Sequence, residues 1–234
     1  MYTLSRIESN LKATPKQRWE NNKRAIITLQ DLKTTKNLPT DEEITILASF
    51  NGWGSVSQMF NTNPSGWEKV AQTELKELIG EAEYNNAAAS SLNAHYTHPA
   101  IIRSIWNIIY QTGFKYGRIL EPACGTGLFF GGMKPFYQDK SQLFGVEIDS
   151  IASTIAQHLY PKAVIHNSPF ESCQFPDNYF DLIISNVPFG SFGISDTRYD
   201  YLGLKIHNYF LAKSSDLVRI GGLIGIITSS YTLD

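Results

Sequence analysis

A glutamate that follows an apolar segment and precedes a glycine-rich loop is the residue pattern in this sequence best suited to chemistry. The segment reads Ile119-Leu-Glu-Pro-Ala-Cys-Gly-Thr-Gly127. Gly125 and Gly127 carry no side chain, so the backbone can approach a ligand closely. A dinucleotide-binding fingerprint would need a third glycine where Phe130 stands, and a P-loop would need a Gly-Lys-Ser/Thr that is absent. The pattern therefore disfavours a pyrophosphate, and the Glu121 carboxylate favours a cationic ligand.

A second apolar segment, about twenty residues further along, also ends in an acid. In doubly wound α/β folds the acid at the end of this strand binds a ribose. The segment reads Phe144-Gly-Val-Glu-Ile-Asp149. A carboxylate has two oxygens, so one side chain can accept hydrogen bonds from both ribose hydroxyls. We therefore expect Glu147, with Ile148 beside it, to bind a ribose.

Together these segments resemble motif I and the ribose-binding acid of the Rossmann-like methyltransferases that use S-adenosylmethionine. The resemblance implies that Glu121 faces the methionine end of this cofactor. It also implies that Asn167, after the third apolar segment, contacts the cofactor adenine and that Phe170 stacks there. The cofactor-binding residues implied within these segments are Glu121, Pro122, Ala123, Gly125, Gly127, Glu147, Ile148, Asn167 and Phe170.

A third strand-end motif indicates the acceptor of the methyl group. The segment Phe180-Asp-Leu-Ile-Ile-Ser-Asn-Val-Pro-Phe-Gly190 is similar to the Asn-Pro-Pro-Tyr/Phe motif of amino-methylating enzymes. An exocyclic amine of adenine is a poor nucleophile because its lone pair is delocalised into the ring. The resemblance implies that the Asn186 amide oxygen and the Val187 carbonyl accept the two amine hydrogens, and that Phe189 stacks on a base that has left the duplex. Val187 departs from the family pattern, which has proline there, and Pro188 keeps it.

An upstream segment, Leu92-Asn-Ala-His-Tyr-Thr-His-Pro99, resembles the Asn-x-x-Tyr-Thr-Pro-type motif of DNA adenine methyltransferases. The resemblance implies that Tyr96 and Thr97 close over the methionine part of the cofactor. The alternative is a purely structural role, in which Thr97 or His98 caps the helix that begins at Pro99. No metal is expected, because the histidines here have no further ligand at metal spacing.

Apolar segments alternate with helical ones from about residue 93, which predicts a doubly wound, mainly parallel α/β sheet with ligands at the carboxyl ends of its strands. The resemblance implies a class I methyltransferase fold. We expect a helical N-terminal region at 1–92, marked by capping motifs at Thr14 and Thr40 and by an apolar stripe from Trp67 that Gly80 closes. The catalytic domain is expected at 93–234. Strands are predicted near 117–120, 143–148, 163–166, 180–185 and 223–228, and helices near 99–111, 149–159 and 202–218.

Composition limits the class of protein. The 234 residues are 42% hydrophobic and 18% charged, which excludes a disordered chain, and the formal charge of −2 excludes a uniformly basic nucleic-acid coat. The basic residues are nevertheless concentrated in 1–40, which hold eight of the twenty. Two cysteines, no apolar run of about 20 residues and no signal-peptide pattern favour a cytoplasmic protein without a membrane segment.

The order of the motifs resembles the methylase region of large helicase–methylase fusion proteins of phages and plasmids. That resemblance implies methylation of the N6 amine of a flipped-out adenine in DNA, in a context of DNA modification or antirestriction. The family sheet has seven strands, so we expect the last strands, the target-recognition domain and any helicase to lie outside this sequence, either downstream or in a separate specificity subunit. The alternatives are methylation of rRNA guanine or protein glutamine, and an inactive fold that binds DNA or a partner.

Overall fold

The computed structural model describes residues 3, 4, 12–91, 96–228 and 232. The chain forms two compact units, which divide between Tyr96 and Thr97. The first four residues of the upstream motif, 92–95, lie outside the described residues. Tyr96 and Thr97 are described, one in each unit.

The N-terminal unit is helical, as its capping signals predict. It contains α1 (Pro15–Thr35), α2 (Asp41–Ala48), a 3-10 segment (Gly54–Phe60) and α3 (Trp67–Ser90). The hydroxyl of Thr14 accepts a hydrogen bond from the Gln17 N–H, and the Gln17 side chain accepts one from the Thr14 N–H. Thr40 and Glu43 repeat this arrangement at the start of α2. Both capping boxes satisfy N–H groups that a helix leaves unpaired in its first turn.

The expectation that Gly80 closes α3 is wrong in one respect. Gly80 does leave helical geometry, with φ of 78°, but the chain resumes a helix and runs on to Ser90. The apolar stripe is also narrower than predicted, because Val70 is 58% exposed. Leu75 and Ala71 are buried, and Tyr84 beyond the break joins them in the core. Glycine tolerates the left-handed backbone that breaks the helix without ending the segment.

The second unit is built on a five-stranded parallel sheet in the order β3-β2-β1-β4-β5. Its strands are β1 (Arg118–Glu121), β2 (Gln142–Glu147), β3 (Val164–Asn167), β4 (Phe180–Asn186) and β5 (Val218–Ile227). All five predicted segments form strands, so the doubly wound α/β fold is confirmed. Strand β5 begins earlier than predicted because the residues that precede Leu223 bulge outward between the partners of Phe180 and Leu182.

Helices cover the sheet and connect its strands. They are α4 (Pro99–Gln111), the single turns α5 (Leu128–Gly131) and α6 (Pro135–Gln138), α7 (Ser150–Leu159) and α8 (Ile206–Leu217). Helix α8 begins later than predicted, because a separate 3-10 turn at Asp200–Leu202 ends at Gly203 in the left-handed region. The His98 Nδ1 atom accepts the Ala100 N–H and so caps α4, as the structural alternative for this segment predicted. In the part of the chain that the structure describes, no helix is long and apolar enough to cross a membrane.

Candidate active site

Three predicted site residues end three neighbouring strands. Glu121 ends β1, Glu147 ends β2 and Asn186 ends β4. Strand β1 lies between the other two in the sheet, and all three run parallel, so their carboxyl ends share one edge. In open α/β sheets this edge, at the point where the strand order reverses, is where ligands bind.

Glu121 is a buried acid with an unused acceptor. Its side chain is 2% exposed, and the nearby backbone N–H groups of Phe129 and Phe130 act to lower the pKa of its carboxyl. The Oε2 atom is nevertheless buried without a hydrogen-bond partner. Burial, and secondarily the nearby charge of Glu147, raises the pKa of the Glu121 carboxyl well above its usual range. A donor or cation from a ligand would satisfy this oxygen and favour its charged form.

The Glu147 carboxylate joins two segments of the site. Its Oε2 atom accepts the Gly125 N–H at 2.7 Å, and its Oε1 atom accepts the Asp149 N–H at 2.8 Å. Burial, followed by the repulsive charge of Asp149, raises the pKa of Glu147 to about 7. A carboxylate offers roughly four lone-pair positions, so two remain for ribose hydroxyls.

The glycine loop adopts the conformation for which its glycines are needed. Gly125 has φ of 53° and Gly127 has φ of 81°, both in the left-handed region. A Cβ atom on Gly127 would also lie 2.6 Å from a ring carbon of Tyr160. Pro122 is buried and Ala123 half-buried at the start of the loop. The backbone rather than the side chains of this loop therefore forms the surface that a ligand can approach.

Asn167 and Ile148 lie beside Glu147. The Asn167 Nδ2 atom donates to the backbone oxygens of Glu147 and Ile148, at 2.9 and 3.1 Å. Ile148 is 65% exposed and offers an apolar surface on which an aromatic ring can pack. These contacts bring the end of β3 to the end of β2, where the predicted adenine contacts require it.

The structure does not support the predicted stacking of Phe170 on the cofactor. Its side chain is 2% exposed and packs in the core between the sheet and α8, with its ring 5.0 Å from that of Phe210. Proximity to Asn167 along the chain suggested a shared role, but the 3-10 turn at Phe170–Ser172 directs this ring inward.

The Asn-Val-Pro-Phe motif begins at the last residue of β4. Asn186 is half-buried there, and its Oδ1 atom is shielded from water. Val187 is 1% exposed and its N–H donates to the Ile227 carbonyl at 3.2 Å, which extends the contact of β4 with β5. Proline has no N–H and could not form this bond, so the structure explains why valine is accommodated at this position. Pro188 and Phe189 are half-buried, and Phe189 packs against the core cluster.

Tyr96 and Thr97 are both half-buried. Within the N-terminal unit the Tyr96 ring lies against Gly52, where any Cβ atom would collide with it, and Gly52 has φ of 68°. Asn22 fixes this turn, since its amide donates to the Gly52 carbonyl and accepts the Asn51 N–H. Asn51 to Gly54 therefore form a tight connection, with Trp53 buried as its aromatic anchor.

Sequence reasoning missed three residues that hold the loop after the Asn-Val-Pro-Phe motif. Lys213, Asp196 and Tyr209 form a hydrogen-bonded group between that loop and α8. A lysine in an amphipathic helix is ordinarily exposed, so no sequence signal marks Lys213 as buried. No cluster of metal-ligating side chains occurs in the described ranges.

A comparison with known protein families identifies the second unit. Residues 120–219 match the family described as "Methyltransferase domain". This unit has the class I methyltransferase fold. Its cofactor is S-adenosylmethionine, and the residues of this domain fit it, because the free Oε2 atom of buried Glu121 suits a cationic cofactor and Glu147 retains acceptors for a ribose. Asn167 and Ile148 extend the same edge toward a base.

Three relatives of the methyltransferase domain share its sequence or fold. "Defense against restriction protein B" of Escherichia phage P1 is 28% identical over 97% of this chain, which spans 8% of the phage protein. "Type II methyltransferase M.CvrRI" of Paramecium bursaria Chlorella virus XZ-6E is 34% identical over 37% of this chain, corresponding to 23% of the viral protein. A type I restriction-modification methyltransferase subunit from Streptococcus thermophilus shares the fold, with a TM-score of 0.50, 14% identity, and coverage of 87% of this chain and 54% of the subunit.

Proposed function

We propose that this protein transfers a methyl group from S-adenosylmethionine to the N6 amine of an adenine in DNA. The observation that carries the proposal is the adjacency of β1 and β4, which end in Glu121 and Asn186. One edge of the sheet thus holds the cofactor-facing acid next to the motif for the amine. The acceptor and the methyl donor would therefore meet between these two strand ends.

The cofactor supplies an activated methyl group, and the residues of this chain prepare the amine. We propose that Asn186 Oδ1 and the Val187 carbonyl accept the two amine hydrogens, which directs the nitrogen lone pair at the methyl group. The hydrogen bond from the Val187 N–H to Ile227 fixes the Asn186–Val187 peptide, which directly precedes the Val187 carbonyl. Because Asn186 Oδ1 is shielded in this structure, the amide or the loop after it must shift when a base enters.

We assign to Phe189 the role of stacking on the face of the target base. A base that undergoes chemistry must leave the duplex, and an aromatic side chain in the site replaces part of the lost stacking. Phe189 is half-buried against the core, so its ring is supported from below. The ring face would also favour the positive charge that passes from the donor to the amine.

The relatives support DNA as the acceptor. Their names refer to restriction or to type II methyltransferase activity. This chain spans a small part of the phage protein, so we propose that the recognition of a DNA sequence depends on a further region or a separate specificity subunit. The proposed partners are therefore duplex DNA and such a recognition region, with catalysis assigned to Asn186, Val187, Pro188 and Phe189.

The test separates cofactor binding from transfer. The wild-type protein and Asn186→Ala are incubated with radiolabelled S-adenosylmethionine and, separately, with duplex DNA, rRNA or a release-factor-like protein. We expect label in DNA with the wild type, loss of at least about a hundredfold with Asn186→Ala, and unchanged cofactor affinity in both. Asn63→Ala, at an exposed position of the N-terminal unit, is the matched control. Label that enters only rRNA or protein would overturn the proposal, and so would full activity of Asn186→Ala.

A further inference from the structure

A buried lysine connects two segments that enter the candidate site from different strands. Lys213 on α8 is 7% exposed, and its Nζ atom donates to the Phe170 and Glu171 carbonyls at 2.8 and 3.2 Å. The same atom lies 3.3 Å from Asp196 Oδ2. Phe170 follows Asn167 at the cofactor side, and Asp196 follows the Asn-Val-Pro-Phe motif at the acceptor side.

The carboxylate of Asp196 is held by several donors. Its Oδ2 atom accepts the Tyr209 hydroxyl at 2.6 Å and its Oδ1 atom accepts the Arg198 N–H at 3.1 Å. Burial opposes the charge of this group, but the bonds from Tyr209, Arg198 and Lys213 outweigh it and lower the pKa of Asp196. Asp196 is thus a charged carboxylate that attaches its loop to α8 through several hydrogen bonds.

The loop itself, residues 191–205, is closed at its base. Gly193 pairs with Lys205 in an antiparallel bridge, and the Ile206 N–H donates to the Phe192 carbonyl. The loop borders an open cavity of about 270 Å³ next to Tyr209. Because the two ends of the loop are paired with each other, the contact of Asp196 with Lys213 attaches the whole loop to α8.

We propose that Lys213 is a positioning residue for methyl transfer, which holds the cofactor-side segment after Asn167 and the 191–205 loop in one arrangement. An ammonium has three N–H donors and therefore can bind both segments at once. A ligand that orders one segment then orders the other through a single buried contact. The assignment of the two sides rests on the proposed function.

Tryptic cleavage measures this link without any acceptor. Trypsin can cut the loop after Arg198 and after Lys205, and it can cut after the exposed Lys33 in α1 as an internal reference. In the wild type we expect saturating S-adenosylmethionine to slow loop cleavage at least about fivefold relative to Lys33, the lower end of typical coupling between sites. Because no DNA is present, failure here is distinguishable from failure of the proposed DNA methylation.

Three variants decide whether Lys213 carries the effect. In Lys213→Met the cofactor should no longer protect the loop, while Lys213→Arg should retain part of the protection because it keeps the charge and donors. Asp196→Asn should bind the cofactor within about twofold of the wild type, since the bonds to Phe170 and Glu171 remain, yet lose loop protection. Asp196→Asn keeps the proposal testable if Lys213→Met does not fold. The proposal is overturned if the wild type shows no protection, or if Asp196→Asn and any folded Lys213→Met are protected like the wild type.

Discussion

The Glu147 carboxylate accepts the Gly125 N–H at 2.7 Å, so the acid that ends β2 also holds the glycine loop that follows β1. Its second oxygen accepts the Asp149 N–H at the start of the next turn. One side chain therefore shapes the loop and keeps two acceptor positions for a ligand. The conformation of the loop and the affinity for the cofactor should consequently respond together to changes at Glu147.

Glu147→Gln should weaken S-adenosylmethionine binding by about tenfold to a hundredfold, because a charged hydrogen bond is worth roughly 1.5–3 kcal/mol. The amide also places an NH₂ group against one of two backbone N–H donors. Isothermal titration calorimetry measures the affinity, with Glu81→Gln, an exposed acid of the N-terminal unit, as the control. Wild-type affinity in Glu147→Gln would show that this carboxylate does not bind the cofactor.

Cofactor affinity should rise with pH through the raised pKa of Glu147. This pKa is about 7 in the folded protein against an ordinary 4.5, so the stability that its proton contributes is full below about pH 4.5 and lost as the pH passes 7. Ribose hydroxyls that donate to this carboxylate favour the ionised acid, so cofactor binding must displace that proton below pH 7. We expect about tenfold tighter binding at pH 8 than at pH 6, with a flatter response in Glu147→Gln. Calorimetry in buffers of different ionisation enthalpy should detect proton release, and its absence at pH 6 would contradict this account.

Phe170→Leu should lower stability without changing cofactor affinity. The Phe170 ring is buried against Phe210, so its truncation leaves a cavity and costs about 1–2 kcal/mol of unfolding free energy. Asn167→Ala should weaken cofactor binding and leave the free energy of unfolding nearly unchanged. Asn167 is exposed, and its side chain donates to the backbone of Glu147 and Ile148 beside the cofactor site. Urea unfolding and titration calorimetry on both variants measure the contrast. Weaker cofactor binding by folded Phe170→Leu would restore the stacking role.

Val187→Pro tests the backbone of the amine motif. The substitution removes the N–H that Ile227 accepts and should lower stability by about 1 kcal/mol or more, since the carbonyl is left without its donor. Val187→Ile keeps this N–H, and its free energy of unfolding should lie within about 0.5–1.5 kcal/mol of the wild-type value. Thermal unfolding of the two variants provides the comparison. Equal or higher stability of Val187→Pro would mean that the bond to Ile227 contributes nothing.

Local patterns predicted the strand ends, because an apolar run that stops at an acid or an amide is visible in a few residues. Glu121, Glu147 and Asn186 were identified in this way, and the structure places them on adjacent strands. The burial of Phe170 and Lys213 was not evident from the sequence, because it depends on packing between segments 43 residues apart. The same limit applies to α3, where the helix resumes after Gly80 and Tyr84 packs against Phe60, a contact that no local pattern indicates.

The identity of the methylated nucleoside tests the central claim most directly. Duplex DNA is incubated with the protein and with cofactor that carries a trideuterated methyl group, then digested to nucleosides for mass spectrometry. If the recognition of DNA needs a further region, the same measurement is made with that region supplied. The account predicts trideuterated N6-methyladenine with the wild type and none with Asn186→Ala. Trideuterated 5-methylcytosine, or N6-methyladenine formed equally by Asn186→Ala, would contradict it.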